Sequence, residues 1–81
     1  MKIVFSKSAE KELLSLDKSL GQRIFKKITL LRDQPYGIGS QKLEGGGYRI
    51  RIGDYRVVYI IDKEQKTVTI IKIRHRREVY K

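Results

Sequence analysis

From Tyr48 to Ile61 apolar and polar residues alternate almost without a break. Tyr48, Ile50, Ile52, Tyr55, Val57, Tyr59 and Ile61 fall on one face by the two-residue period of a strand, interrupted only by Gly53-Asp54. A Gly-Asp pair between two such runs predicts a hairpin with a two-residue turn. Such a turn sets Ile52 opposite Tyr55 and Arg51 opposite Arg56, with Arg49 on the same face as Arg51. The polar loop Lys63–Lys66 and the run TVTIIKI then predict a third strand, followed by a basic tail, RHRREVYK.

The first half of the chain reads differently. Lys2 to Ser6 predicts a short strand with Ile3 and Phe5 on one face. Ser8 is the expected N-cap of a helix over Ala9 to Leu16, with Ala9, Leu13 and Leu16 inward. A second helix is expected from near Ser19, where Ser19 and Gln22 have capping-box spacing. Leu20, Ile24, Ile28 and Leu31 form its core stripe beside Phe25, Lys26, Lys27 and Arg32 lie nearer the outside, and Pro35 ends it. Asp33 to Gly47 has no periodicity and carries three consecutive glycines before the strand. The predicted order is β-α-α-β-β-β. It is a single domain over residues 1–81, an α+β two-layer fold with an antiparallel sheet and two N-terminal helices packed on one face.

Charge adds a direction to this outline. The 81 residues carry a net charge of +10, which favours polyanionic partners. Arg23 and Arg32 are the only arginines before residue 41; the other six are Arg49, Arg51, Arg56, Arg74, Arg76 and Arg77. The second half is therefore rich in the side chain best suited to bidentate phosphate contact. No apolar run approaches the ~20 residues of a membrane helix, so no membrane association is expected. The absence of cysteine is compatible with the cytoplasm, and MKIVFSKSAEKELL lacks the apolar run of a signal peptide.

The groups available for chemistry are Arg49, Arg51, Arg56, the stretch Arg74 to Arg77 that contains His75, and Tyr80. No metal-ligand spacing surrounds the lone histidine, a serine triad lacks its parts, and the glycines lead into a strand rather than a helix N-terminus. No metal or cofactor is expected. Phosphate chemistry on RNA remains open, because the 2′-hydroxyl can attack the adjacent phosphorus and leave a 2′,3′-cyclic phosphate and a 5′-hydroxyl. Arginines can align the phosphate and stabilise charge, but their pKa above about 12 bars them from ordinary base catalysis. Protons would move through His75, with its ordinary pKa of ~6.5, through Tyr80, or through Glu44 or Glu78. Each group also has a plainer role open to it: a solvated sheet face, a surface histidine, a packed tyrosine, a nonspecific polyanion patch.

The segment KLEGGGYRIRIGDYRVVYIID and the ending IIKIRHRREVYK resemble the RelE/ParE superfamily of toxins from toxin–antitoxin modules, on the RelE side. The resemblance covers nearly the whole chain. It implies a ribosome-dependent mRNA endoribonuclease that cuts in the A site, inhibited by a cognate antitoxin that wraps it; ribosome and mRNA are the other implied partners. ParE-type relatives inhibit DNA gyrase, and a non-catalytic relative that binds only nucleic acid or antitoxin is a further alternative. Carried over, the resemblance places the paired basic strand residues on Arg49 and Arg51 and a phosphate stabiliser on Arg56. It places the catalytic tyrosine on Tyr80 and a C-terminal general acid near His75. The arginine after the last strand is placed on Arg76, aligned from the strand register, the firmer anchor; aligned back from the tyrosine it would be Arg74. Lys42, Lys72, Arg74 and Arg77 are the expected RNA-binding residues.

Overall fold

A computed structural model of the chain describes residues 1–37 and 39–75. The elements are β1 (Lys2–Phe5), α1 (Lys7–Leu14), α2 (Lys18–Thr29) with a 3-10 turn (Leu30–Arg32), β2 (Gln41–Lys42), β3 (Tyr48–Ile52), β4 (Tyr55–Asp62) and β5 (Thr67–His75). The sheet order is β1-β5-β4-β3-β2. Strands β3, β4 and β5 form the expected antiparallel meander, and the Gly53-Asp54 turn sets Arg51 opposite Arg56. Both helices lie on one face. There Ala9, Ile24, Ile28 and Leu31 bury against Ile50, Ile52, Val57, Tyr59, Val68, Ile70 and Ile73.

Four details differ from the sequence expectation. First, β1 runs parallel to β5, pairing Ile3 with Val68 and Phe5 with Ile70, so the sheet is mixed. Second, the aperiodic stretch holds β2, which pairs Gln41 with Arg49 and Lys42 with Tyr48. Third, the helices start earlier. Ser6, not Ser8, caps α1 by accepting the Ala9 N–H at 3.0 Å, and Asp17 precedes α2 without a side-chain cap bond, so the Ser19–Gln22 box is not its start. The turn from β1 into α1 is so tight that the first serine after the strand reaches the cap. Fourth, β5 continues through Arg74 and His75, which belong to the strand rather than to a tail.

A β-bulge governs that last strand. Val58 pairs with Lys72 but Tyr59 pairs with Ile70, so Ile71 has no residue opposite it on β4. The extra residue reverses the inward-outward parity of β5. Val68, Ile70 and Ile73 all face the core, while Lys72 and Arg74 are carried to the open side.

Beyond Phe5, among the described residues, the edge of β5 away from β4 has no strand beside it, and Ser6 and Glu12 supply its partners instead. The Ser6 N–H donates to the Ile70 carbonyl at 2.9 Å, and the Ser6 hydroxyl donates to the Ile71 carbonyl at 3.0 Å. Glu12 on α1 accepts the Ile73 N–H through Oε1 at 3.0 Å. One serine thus caps a helix and repairs a bulge, and one glutamate ties that helix to the strand edge.

On the opposite side, Tyr59 holds the start of the 33–47 connection. Its hydroxyl donates to the Pro35 carbonyl at 2.9 Å, and its ring stacks on Tyr48, which meets Tyr36 edge-on. Burial raises the Tyr59 pKa above that of an ordinary phenol and keeps the donor neutral. Gly47 has φ +87°, and a Cβ there would meet the Tyr59 carbonyl oxygen at 3.3 Å.

Two stability predictions follow from these contacts. Glu12→Ala, which strands the Ile73 N–H, is expected to cost about 1–3 kcal/mol in urea unfolding. Glu12→Gln retains an acceptor and should cost less than about 1 kcal/mol; equal losses would mean that charge, not the backbone contact, carries the effect. Gly47→Ala should destabilise more than Gly45→Ala or Gly46→Ala: all three have positive φ, but only position 47 is also crowded. Equal melting temperatures across the three would refute the crowding argument.

Candidate functional site

The open side of the sheet gathers the arginines. Register places Arg51 on β3 opposite Arg56 on β4, and Arg56 opposite Arg74 on β5, making one cross-strand row of three guanidinium side chains. The neighbouring row runs Gln41, Arg49, Val58 and Lys72. Like charges directly opposite one another weaken a sheet, since facing Cβ atoms lie only about 5 Å apart. The fold meets this at specific points. Arg74, whose side chain is 43% exposed, forms an ion pair with Glu12 at 2.7 Å, and Glu12 is only 17% exposed. Arg49 donates through Nε and Nη2 to Gln41 Oε1 at 3.0 and 2.6 Å, which fixes its fork. Arg56, in the middle of the row, is only 7% exposed.

Arg49, Arg51 and Arg56 line a cleft of about 310 Å³ together with Gly39, Gln41 and Ile50. Among the described residues no carboxylate lines it. Its chemistry is that of an anion site: forked, permanently charged donors held on hydrogen-bonded strands rather than on loops.

The other expected residues divide by position. Lys72 is exposed on the open side one row from Arg56. Lys42 pairs with Tyr48 and so shares that residue's side of the sheet, away from the arginine row. His75 pairs with Tyr55, and the two rings meet edge-on at 5.2 Å between centroids. That places His75 on the helix side of the strand, outside the residues that line the cleft. Arg76, Arg77 and Tyr80, and Glu78 with them, lie outside the described residues. Sequence reading missed Gln41, which orients Arg49, and Glu12, which balances Arg74. Gln41 was in principle detectable, because a glycine run between Lys42 and Tyr48 can close a hairpin; nothing local marks Glu12.

Comparison with known proteins identifies the family. A family model described as the ParE toxin of the type II toxin–antitoxin system parDE matches residues 3–80. A RelE-like toxin protein of Escherichia coli is 33% identical over 84 residues, spanning 96% of this chain and 87% of its own. Among solved structures, a chain of the toxin–antitoxin complex RelBE2 of Mycobacterium tuberculosis superposes with a TM-score of 0.82 at 26% identity, covering 93% of this chain and 96% of that one. The isolated E. coli RelE toxin gives a TM-score of 0.80 at 28% identity, covering 98% and 89%. With the family match running over nearly its whole length, and the same fold in these toxins, the chain belongs to the RelE/ParE superfamily of type II toxin–antitoxin toxins.

Proposed function

We propose that this toxin is a metal-independent endoribonuclease that cuts mRNA in the ribosomal A site. The observation that carries the reading is the Arg51–Arg56–Arg74 row with Arg56 almost buried beside the cleft. A fixed guanidinium in a site of lowered dielectric stabilises a phosphorane far better than one in water. In the reaction the 2′-oxygen forms a bond to phosphorus as the bond to the 5′-oxygen breaks. The 2′-proton leaves to a base, and the 5′-oxygen takes a proton. Arg56 and Arg51 would hold the non-bridging oxygens, and Arg49, oriented by Gln41, would align the phosphate. Tyr80 is the proposed proton-transfer group. His75 could serve only by leaving its seat against Tyr55.

The proposed inhibitor is an antitoxin, as in the RelBE2 complex to which the chain is similar. A shallow groove on the helical hairpin, lined by Leu13, Leu14, Leu16 and Phe25, suits an amphipathic segment of it; Leu14 is 76% exposed there. The second reading, a gyrase inhibitor, is favoured by the ParE description of the matching family model. It leaves the forked arrangement of Arg49, Arg51 and Arg56 without a task.

Mapping the 5′ ends of a model message with and without programmed 70S ribosomes separates the two. Cuts confined to the A-site codon and seen only with ribosomes are expected; an intact message together with inhibited gyrase supercoiling would establish the second reading. Arg56→Lys and Tyr80→Phe should each lower cleavage by about 10²–10³-fold, the loss typical of removing one transition-state contact. Melting curves should stay close to wild type. Unchanged cleavage in both variants would remove them from the chemistry.

A further inference from the structure

Arg51 lines not one depression but three. The first is the arginine cleft. The second, about 400 Å³, lies between α2 and the β3–β4 turn and is lined by Arg23, Lys26 and Lys27 with Arg51 and Gly53. The third, about 210 Å³, shares Lys27, Leu30 and Arg51 with the second and Ile50 and Arg51 with the first. The three join because β2 is so short. It pairs with β3 only as far as Arg49, and among the described residues no strand covers the edge from Ile50 to Ile52. The result is a groove that starts on the open side of the sheet, rounds the edge of β3 at Arg51 and continues along α2.

Its electrostatics are one-sided. Arg49, Arg51, Arg56, Arg23, Lys26 and Lys27 all line it, and among the described residues no carboxylate does. Arg23, Lys26 and Lys27 are three and four residues apart, so they share one exposed side of α2. Arg23 is also seated. Gly53 has φ +59°, and a Cβ on it would fall 3.0 Å from Arg23 Nη2, so the bare glycine leaves room for the guanidinium at the turn.

We infer that Arg23, Lys26 and Lys27 form a second phosphate-binding track, which takes the RNA backbone as it leaves the arginine cleft around Arg51. The inference rests on the cleft's proposed role in binding an RNA phosphate. A nucleic acid fits this groove better than an acidic protein does. Among the described residues Leu30 is the one large exposed apolar side chain in the groove, set among cations, whereas the clustered apolar surface that an amphipathic protein segment requires lies on the other part of the helical hairpin, at Leu13, Leu14 and Phe25. The backbone phosphates of the message and of ribosomal RNA present the same chemistry to such a track.

The test uses the full chain, with Lys26→Gln/Lys27→Gln as one variant and the triple with Arg23→Gln as another. The double variant leaves Arg23 in its seat at the Gly53 turn. The first probe is a labelled 2′-O-methyl oligoribonucleotide, which has no 2′-hydroxyl to attack with, so binding is read apart from cleavage. Each lost phosphate contact on a single strand should lower the slope of log K against log salt by about 0.7, giving a drop of about 1.4 for the double variant and about 2 for the triple. Affinity at low salt should fall at least tenfold. The second probe is binding to purified 70S ribosomes. Loss with the oligonucleotide assigns the track to the message strand, and loss only with ribosomes assigns it to ribosomal RNA; either upholds the track. Unchanged slope and affinity with both probes would overturn it, including the case in which only neutralisation by the antitoxin weakens, which would assign the groove to an acidic protein. If wild type fails to cut ribosome-bound message while the slopes still fall, the cleavage reading is lost and the track stands.

Discussion

One extra residue in the last strand sets the disposition of everything around it. Strict alternation from Val68 and Ile70 would turn Lys72 and Arg74 inward, onto a core of Ile24, Ile28 and Val57. Burying two unpaired cations there would cost several kcal/mol each. The bulge at Ile71 instead sends Ile73 inward and delivers Arg74 to the row with Arg56 and Arg51. Its displaced backbone groups require partners, because an orphaned polar group at a buried edge is itself costly. Ser6 and Glu12 supply them, and in doing so they fix where α1 lies against the sheet. The position of the helix, the parity of the strand and the composition of the arginine row are therefore one structural decision.

That decision brings like charges side by side, and the fold answers them at specific points. Glu12 offsets Arg74 at one end of the row, and Gln41 orients Arg49 without neutralising it. Arg51 remains exposed, and among the described residues no carboxylate lines the cleft it shares with Arg56. On the proposed reading, the charges that the sheet holds at a cost in stability are placed for a phosphate. Because they sit on paired strands, little reorganisation is left for the moment of binding. A loop carrying the same arginines would have avoided the repulsion and lost the alignment.

Much of this was legible in the chain, and the rest was hidden for a common reason. Alternation from Tyr48 to Ile61, with Gly53-Asp54 between, determined both faces of the hairpin and the Arg51–Arg56 pairing. The stripe Leu20, Ile24, Ile28 and Leu31 located α2. Local periodicity states which side of an element is buried; it does not state which elements are neighbours or where a register slips. The consecutive Ile70-Ile71 is compatible with a strand buried on both faces or with a bulge, so Arg74 could not be assigned to the row. The parallel pairing of β1 and the contact of Glu12 with Ile73, 61 positions apart in sequence, depend on tertiary proximity alone. Serines and glutamines placed at plausible helix starts misled because Ser6 sat closer to the strand end than the favoured Ser8.

The short β2 has a consequence at the opposite edge. Had it paired along the whole of β3, it would have walled the arginine cleft off from α2. By starting only at Gln41 it holds Arg49 and leaves the edge at Arg51 open, so charge on the sheet and charge on the helix become parts of one surface. Such a surface attracts any polyanion over a distance set by salt, about 8 Å at physiological ionic strength. It has few groups with which to distinguish one base from another, since arginine forks and lysine termini bound to phosphates carry no sequence information. On the proposed reading, selectivity must then come from the object that presents the RNA. A ribosome holding one codon in a fixed place supplies the geometry that an 81-residue domain lacks the surface to encode, and the toxin contributes the aligned charge.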